Sequence, residues 1–441
     1  MRIVKKIVRE AYMRKKLRTV AVIIIITIAI GNVWAGGGQE ATADGKTEIR
    51  WMQWKTTEVG QEVMDELKAE FEKANPDFTL TLVDHPFNGF HDKVVTLAQA
   101  QQLPEVILVQ VDWVGEFAQS KIITTLDPLV AEEPANFLDQ YYDAFKMQVE
   151  GKRYSLPLHA GCVALYYNTD IFAREGISQP PKSWAELTEI AKKVTKPEKN
   201  QYAFTGTLAT EPPTNMTYDI YPLMFQAGAK IVDENNKPVF NSDAGVKALE
   251  FYKELMVESE TSVPGILQNG EKEKRGNFAA GNIAMMFEGP WGVAIQKNLN
   301  PDKDFGITTL PWGETNGTIV RGSLFAIPSS TAKDEKKLEG AWELVKFISG
   351  PIGGEIWCRA TGDLPGNKIV ADKPFVKENK YMKVFIEQMG LPNAMAIPHL
   401  PYQVELNRIM TIEVQNFVDG KKSAKQALDD AAIKWEELIS K

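Results

Sequence analysis

Between Glu48 and Val111 the apolar residues alternate strand, helix, strand, helix, strand, and this rhythm constrains the fold more than any other feature of the chain. Glu48–Trp54 reads as a strand. Val63, Leu67 and Phe71 then recur at i, i+4 and i+8, one face of an amphipathic helix that Asn75-Pro76 stops. Thr79–Val83 reads as a second strand, and Phe90, Val94 and Leu97 mark a second helix. After Pro104, Glu105–Val111 is an apolar run of the kind buried on both faces. Such alternation is the mark of a parallel sheet covered by helices.

A second unit begins near Gly151–Pro157. Ser183-Trp-Ala-Glu186 predicts a capping box opening a helix through Val194. Val232–Val239 reads as a hairpin around Asp233–Asn236. Leu249, Tyr252 and Met256 share a helix face, as do Trp342, Val345 and Ile348. Leu428, Ala432, Trp435 and Ile439 give a C-terminal helix its inward face. About 400 residues without low complexity exceed one ordinary core, so two lobes are expected.

The first 35 residues predict export. Arg2, Lys5, Lys6, Arg9, Arg14, Lys15, Lys16 and Arg18 precede an apolar run from Val20 to Ile30, and Val33 and Ala35 stand where a signal peptidase reads. Cleavage after Ala35 is the natural expectation, with an uncleaved anchor as the alternative. No cysteine lies near that point to carry a lipid anchor, and residues 36–45 read as a flexible spacer. The leader takes eight basic residues and one acidic one, leaving 42 basic and 57 acidic, a net charge of −15. An acidic surface disfavours nucleic acid and anionic lipid as partners. Cys162 and Cys358 are read as two buried free thiols, although export would permit a disulfide.

The chain has no Gly-x-Ser-x-Gly elbow, Walker loop, Gly-x-Gly-x-x-Gly or His-Glu-x-x-His, and its four histidines lack metal-ligand spacing. No cofactor or metal is therefore expected. Asn277–Trp291 stands out instead. Phe278-Ala-Ala-Gly281 reads as a helix end with its glycine stop, Ile283–Phe287 as a buried strand, and Gly289-Pro290 leaves Trp291 just past the strand end. Ligands of open α/β sheets sit at such ends, so Trp291 is either a ligand contact or a core residue.

The order of segments carries further weight. Asn75-Pro-Asp77, Leu103-Pro-Glu-Val-Ile107, Asp112-Trp113, Gly151–Pro157, Ala164-Leu-Tyr-Tyr-Asn168 and Pro180-Pro-Lys-Ser-Trp184 precede Phe278–Gly281, Gly289-Pro-Trp291 and Gly362-Asp-Leu-Pro365. This series resembles the extracellular solute-binding proteins of bacterial ABC importers, in the family that includes the maltose- and trehalose-binding proteins. The resemblance spans roughly Thr47 to Lys441. It implies an α/β fold of two lobes, each a mainly parallel sheet flanked by helices, joined by a hinge that the chain crosses more than once. Crossings are expected near Pro157–Gly161, Leu310–Trp312 and Asp363–Gly366. The amino-terminal lobe would hold 46–157 and 311–364, the other lobe 158–310 and 365–441. The implied protein is a periplasmic monomer without enzymatic activity. It would close on a sugar and deliver it to the transmembrane subunits of a permease with their cytoplasmic ATPase.

A sugar ring needs flat aromatic surfaces for its C–H faces and donor–acceptor groups for its hydroxyl rim. Trp54, Trp113 and Trp291 fall at predicted strand ends, with Trp291 placed by the resemblance as a stacking residue. Asp112 is either a hydroxyl acceptor or a helix N-cap, and Trp113 either a platform or a residue packed under that helix. Lys55 ends the first strand and His159 sits at the first crossing. Arg321 either clamps hydroxyls or pairs with Asp363. Tyr167 is expected to be partly structural, and Glu211 and Tyr402 complete the candidate set. Pro398–Tyr402 and its sequel to Met410 lack the further Trp of the maltose-binding pattern. A differently shaped or glycerol-phosphate-like ligand therefore stays open, as does an exported glycoside hydrolase using two cleft carboxylates.

Overall fold

The computed structural model describes residues 45–142, 148–396, 400 and 402–440. The leader, its cleavage site, most of the spacer and Pro398-His399 lie outside the described residues. Among the described residues no helix is long and apolar enough to cross a membrane.

The expected strand–helix rhythm is present. Strands β1 (Thr47–Gln53), β2 (Phe78–Asp84) and β3 (Val106–Gln110) alternate with helices Gln61–Ala74 and Phe90–Gln99. Both β2 and β3 pair with β1 in parallel. The first helix buries Met64, Leu67 and Phe71, with Met64 taking the inward place expected of Val63. Asn75 ends it, its backbone N–H donating to the Phe71 carbonyl.

Beyond β3 the sheet turns mixed. Strands β4 (Leu156–Cys162), β8 (Thr318–Ala326), β9 (Leu364–Pro365) and β10 (Ala394–Ala396) join it in the order β2-β1-β3-β8-β4-β9, with β10 beside β8. The long β8 runs antiparallel to both β3 and β4. A smaller sheet has β5 (Ala164–Asn168) between β6 (Met285–Glu288) and β7 (Phe305–Thr308), and both pairings are antiparallel. The expectation of two mainly parallel sheets is corrected here. Among the described residues, parallel pairing beyond β3 is confined to β10 beside β8 and to single bridges, Tyr202 with Ile283, Phe204 with Ser262 and Ser183 with Trp312. A short apolar run shows that both faces are covered and says nothing of strand direction.

Val163 alone separates β4 in the large sheet from β5 in the small one, so one extended segment serves both. Alternate side chains leave β5 on opposite faces, as the two-residue strand period requires. Ala164 and Tyr166 enter the core that also holds Trp51, Phe325 and Phe385, while Val163 and Leu165 enter a second core with Tyr221, Tyr252 and Trp435.

Local signals mostly do what the sequence predicts. Helix Trp184–Val194 starts at Ser183, whose Oγ accepts from Glu186 N. Glu186 reaches one residue further back than a reciprocal box requires and accepts from Lys182 N at 2.7 Å. Helix Glu271–Ala280 ends on Gly281 at φ +81°. Cys162 and Cys358 are both buried and free.

Candidate functional site

A cleft of about 650 Å³ opens where strand ends of the two sheets approach. Trp54 and Lys55 follow β1, Gln110 ends β3, and His159 lies on β4 with Gly322 and Ser323 of β8 beside it. The facing wall carries Glu211, Asn215, Tyr218, Glu271, Arg275 and Trp291.

Trp291 is 8% exposed and caps helix Gly292–Leu299, directly past β6. Its ring lies over two glycines. A Cβ on Gly289 would stand 2.3 Å from the ring and could not be placed without moving it, while one on Gly161 would press on Pro290 at 2.9 Å and on the ring at 3.1 Å. Tyr218 meets the indole at 5.9 Å between ring centroids and 64°, and His159 at 6.4 Å and 60°, while the residue still lines the cleft. Trp54 packs edge-on to Phe90 and tilted against Phe87 and Trp113, and Lys55 Nζ lies 5.6 Å from the Trp54 and Trp357 ring centres. Lys55 is buried and pairs with Glu58 at 2.7 Å.

Behind Lys55, His159 Nε2 lies 3.1 Å from Ser323 Oγ, and Nδ1 faces Asp363 Oδ2 at 3.5 Å without a hydrogen bond. Asp363 instead accepts from Trp357 Nε1 at 2.9 Å. Burial, then the Lys55 charge, pushes His159 well below its ordinary value, so the ring is neutral. Burial pushes Asp363 upward, against the pull of Lys55. The order Ser323–His159–Asp363 therefore lacks the aspartate–imidazole bond that orients a catalytic base.

The opposite wall rests on an ionic cluster. Arg275 Nε donates to Glu288 at 2.7 Å and its Nη2 to Glu271 at 2.8 Å, while Lys274 Nζ donates to Glu271 at 2.7 Å and to the Phe287 carbonyl at 2.6 Å. Burial pushes the Glu271 carboxyl upward, against the pull of Lys274. Burial opposes ionisation of Glu288 as well, but Arg275 and Lys274 outweigh it and hold that carboxyl at about 2. The two acids share Lys274 and Arg275 between them.

Of the residues singled out in the sequence, Trp54, Lys55, His159, Glu211 and Trp291 line the cleft. Glu211 precedes a cis bond to Pro212 and pairs with Arg408 at 3.0 Å. Asp112 and Arg321 pair with each other at 3.4 Å, both buried. Asp112 makes no cap hydrogen bond, and Arg321 pairs with it rather than with Asp363. Arg321 also donates to Thr217 Oγ1 and lies over the Tyr218 ring. Trp113 packs among Phe87, Phe90, His91 and Phe117 beneath the helix it precedes. Tyr167 packs on Phe172, and Tyr402 is an exposed residue at φ +59° before helix Gln403–Val418.

Asn215, Glu271 and Arg275 were not anticipated. Charges at i, i+3 and i+4 in a first helical turn ordinarily mark a solvated face. Nothing local says that this turn faces another buried carboxylate.

A family model described as bacterial extracellular solute-binding protein matches residues 53–355. The sn-glycerol-3-phosphate-binding periplasmic protein of Agrobacterium fabrum is 26% identical, covering 89% of this chain and 94% of its own length. The arabinooligosaccharide-binding protein of Bacillus subtilis is 23% identical over 95% of this chain and 98% of its own. Among solved structures, an ABC transporter solute-binding protein from Thermotoga lettingae bound with alpha-D-tagatose matches with a TM-score of 0.81 at 24% identity. That match covers 89% of this chain and 100% of the other. At that identity the likeness is one of fold.

Proposed function

The chain belongs to the bacterial extracellular solute-binding proteins, and on that premise we propose that it binds a carbohydrate of one to a few rings for an ABC importer. The cleft carries the reading. An indole that lines the cleft and is braced by Tyr218 and His159 stands among carboxylates, amides, a hydroxyl and a neutral imidazole, the chemistry a sugar's faces and rim require. The arabinooligosaccharide-binding and tagatose-bound relatives support the same class. Two lobes, 46–157 with 311–364 and 158–310 with 365–441, close about the segments near 157–161, 310–312 and 363–366. The closed form then presents both lobes to the permease and its ATPase. Removal of residues 1–35 releases the receptor to the periplasm.

Binding rather than turnover is the expected outcome. Cleft carboxylates Glu58, Glu211 and Glu271 are each engaged by a cation, and Glu273 accepts from Gly270 N. Calorimetric titration against mono-, di- and trisaccharides, with product analysis of each mixture, tests this. Saturable binding of an intact sugar near the micromolar range, about −8 kcal/mol, is expected. Hydrolysis of the sugar, or no saturable heat across the panel, contradicts the proposal.

A further inference from the structure

The relatives divide between sugar and glycerol-phosphate binders, and the wall around Glu271 bears on that division. Among the described residues, the buried and half-buried cations at or behind the cleft are already paired: Lys55 with Glu58, Arg275 with Glu271 and Glu288, Lys274 with Glu271, and Arg321 with Asp112. Lys272 stands exposed at the rim, where water and salt screen its charge. Side chains of the protein also engage backbone amides at two helix starts beside the cleft. Gly270 N donates to Glu273 Oε2 at 3.0 Å, and Gln53 Oε1 accepts from the backbone N–H groups of Lys55 and Thr56. Among the described residues, a phosphate would find no unpaired buried cation at the cleft.

The same wall offers acceptors. Glu271 uses one lone pair of each oxygen on Lys274 and Arg275, which leaves one on each. Asn215 is completely buried, and its Oδ1 has no partner. The amide cannot turn that oxygen away, because its Nδ2 donates to the carbonyls of Ala209 at 3.2 Å and Glu211 at 3.0 Å. A buried acceptor without a donor is costly, and a bound hydroxyl removes that cost. A phosphate dianion brings only more acceptors.

We propose that Glu271 and Asn215 form a hydroxyl-accepting subsite that makes the cleft selective for uncharged polyols over their phosphorylated counterparts, with Glu271 setting the selectivity. The inference rests on the carbohydrate reading above and narrows it. Glu271→Gln keeps the shape, removes one negative charge and turns one acceptor into a donor. It leaves Lys274 and Arg275 sharing Glu288 alone.

The test titrates wild type and Glu271→Gln with the neutral saccharide panel, the 6-phosphates of the same sugars, and sn-glycerol 3-phosphate. Wild type is expected to bind a neutral sugar at least a hundredfold more tightly than any phosphorylated probe. In Glu271→Gln, neutral affinity is expected to fall at least tenfold and the neutral-to-phosphorylated ratio to shrink at least tenfold. The wild-type comparison stands even if the variant does not fold. A wild type that binds a neutral sugar and its phosphate within tenfold of each other overturns the selectivity and leaves the carbohydrate reading intact. A folded variant with both affinities unchanged removes Glu271 from the role. A wild type that binds sn-glycerol 3-phosphate and no sugar overturns both readings.

Discussion

Trp291 is positioned by what its neighbours lack. Gly289 and Gly161 let the benzo part of the indole come close to the backbone, and Tyr218 packs at its side. Gly289→Ala would drive a methyl into the ring and displace it, at a cost of about 1–3 kcal/mol in stability. We expect this variant to remain folded in circular dichroism and to lose at least tenfold in sugar affinity; undiminished affinity would mean that the ring's seat is irrelevant to binding. At this scale the sequence was informative where backbone chemistry announces itself. Gly289-Pro290 ends a strand and leaves Trp291 at its mouth, so the residue could be singled out from order alone. Asn215 and Glu271 carried no such mark, since their importance arises from partners far along the chain.

Strand β3 enters the sheet through Glu105, which ties three elements together. Its carboxylate accepts from Arg50 Nε at 2.9 Å on β1, from the Arg50 backbone N–H at 2.9 Å, and from Lys337 Nζ at 2.8 Å on helix Glu335–Ser349. Burial raises its pKa, but the Arg50 and Lys337 bonds outweigh burial and leave it below the ordinary carboxylate value. The unfolded chain therefore takes up this proton first as pH falls. The stabilisation is complete above about 4.5 and is lost as pH drops through the lower folded value. Glu105→Gln should flatten the fall of urea-unfolding stability below pH 4.5, and at pH 7 should cost about 1.5–3 kcal/mol, nearer the lower end because Arg50 and Lys337 are over a third exposed. An unchanged acid slope would exclude Glu105 as the titrating anchor. The elements themselves were largely legible: β1 to β3, the helix starting after Ser183 and the one stopped by Gly281 carry clear period, cap and breaker signals. Strand direction was not, because β5, β6 and β7 read as apolar runs whichever way their neighbours point.

For the whole molecule, the decisive feature is the β4–β5 segment, which passes from one sheet to the other with only Val163 between. The export-like leader, the acidic composition and the order of family segments made the receptor class readable, since these features are written along the chain. The cleft's interior was not readable, because its walls bring together residues from near 55, 110, 159, 215, 271, 291 and 323. If the lobes close on ligand, small-angle scattering should show a smaller radius of gyration with saturating sugar than without it; identical curves would argue for a preformed, rigid cleft. The central claim is narrower and is tested by one titration: the best-binding neutral sugar of the panel into wild type and Trp291→Ala, by calorimetry. The account predicts saturable binding by wild type and at least a tenfold loss in the variant, roughly 1.4 kcal/mol, with an unchanged circular dichroism spectrum. Equal affinities in the two proteins would return Trp291 to the hydrophobic core and contradict the account.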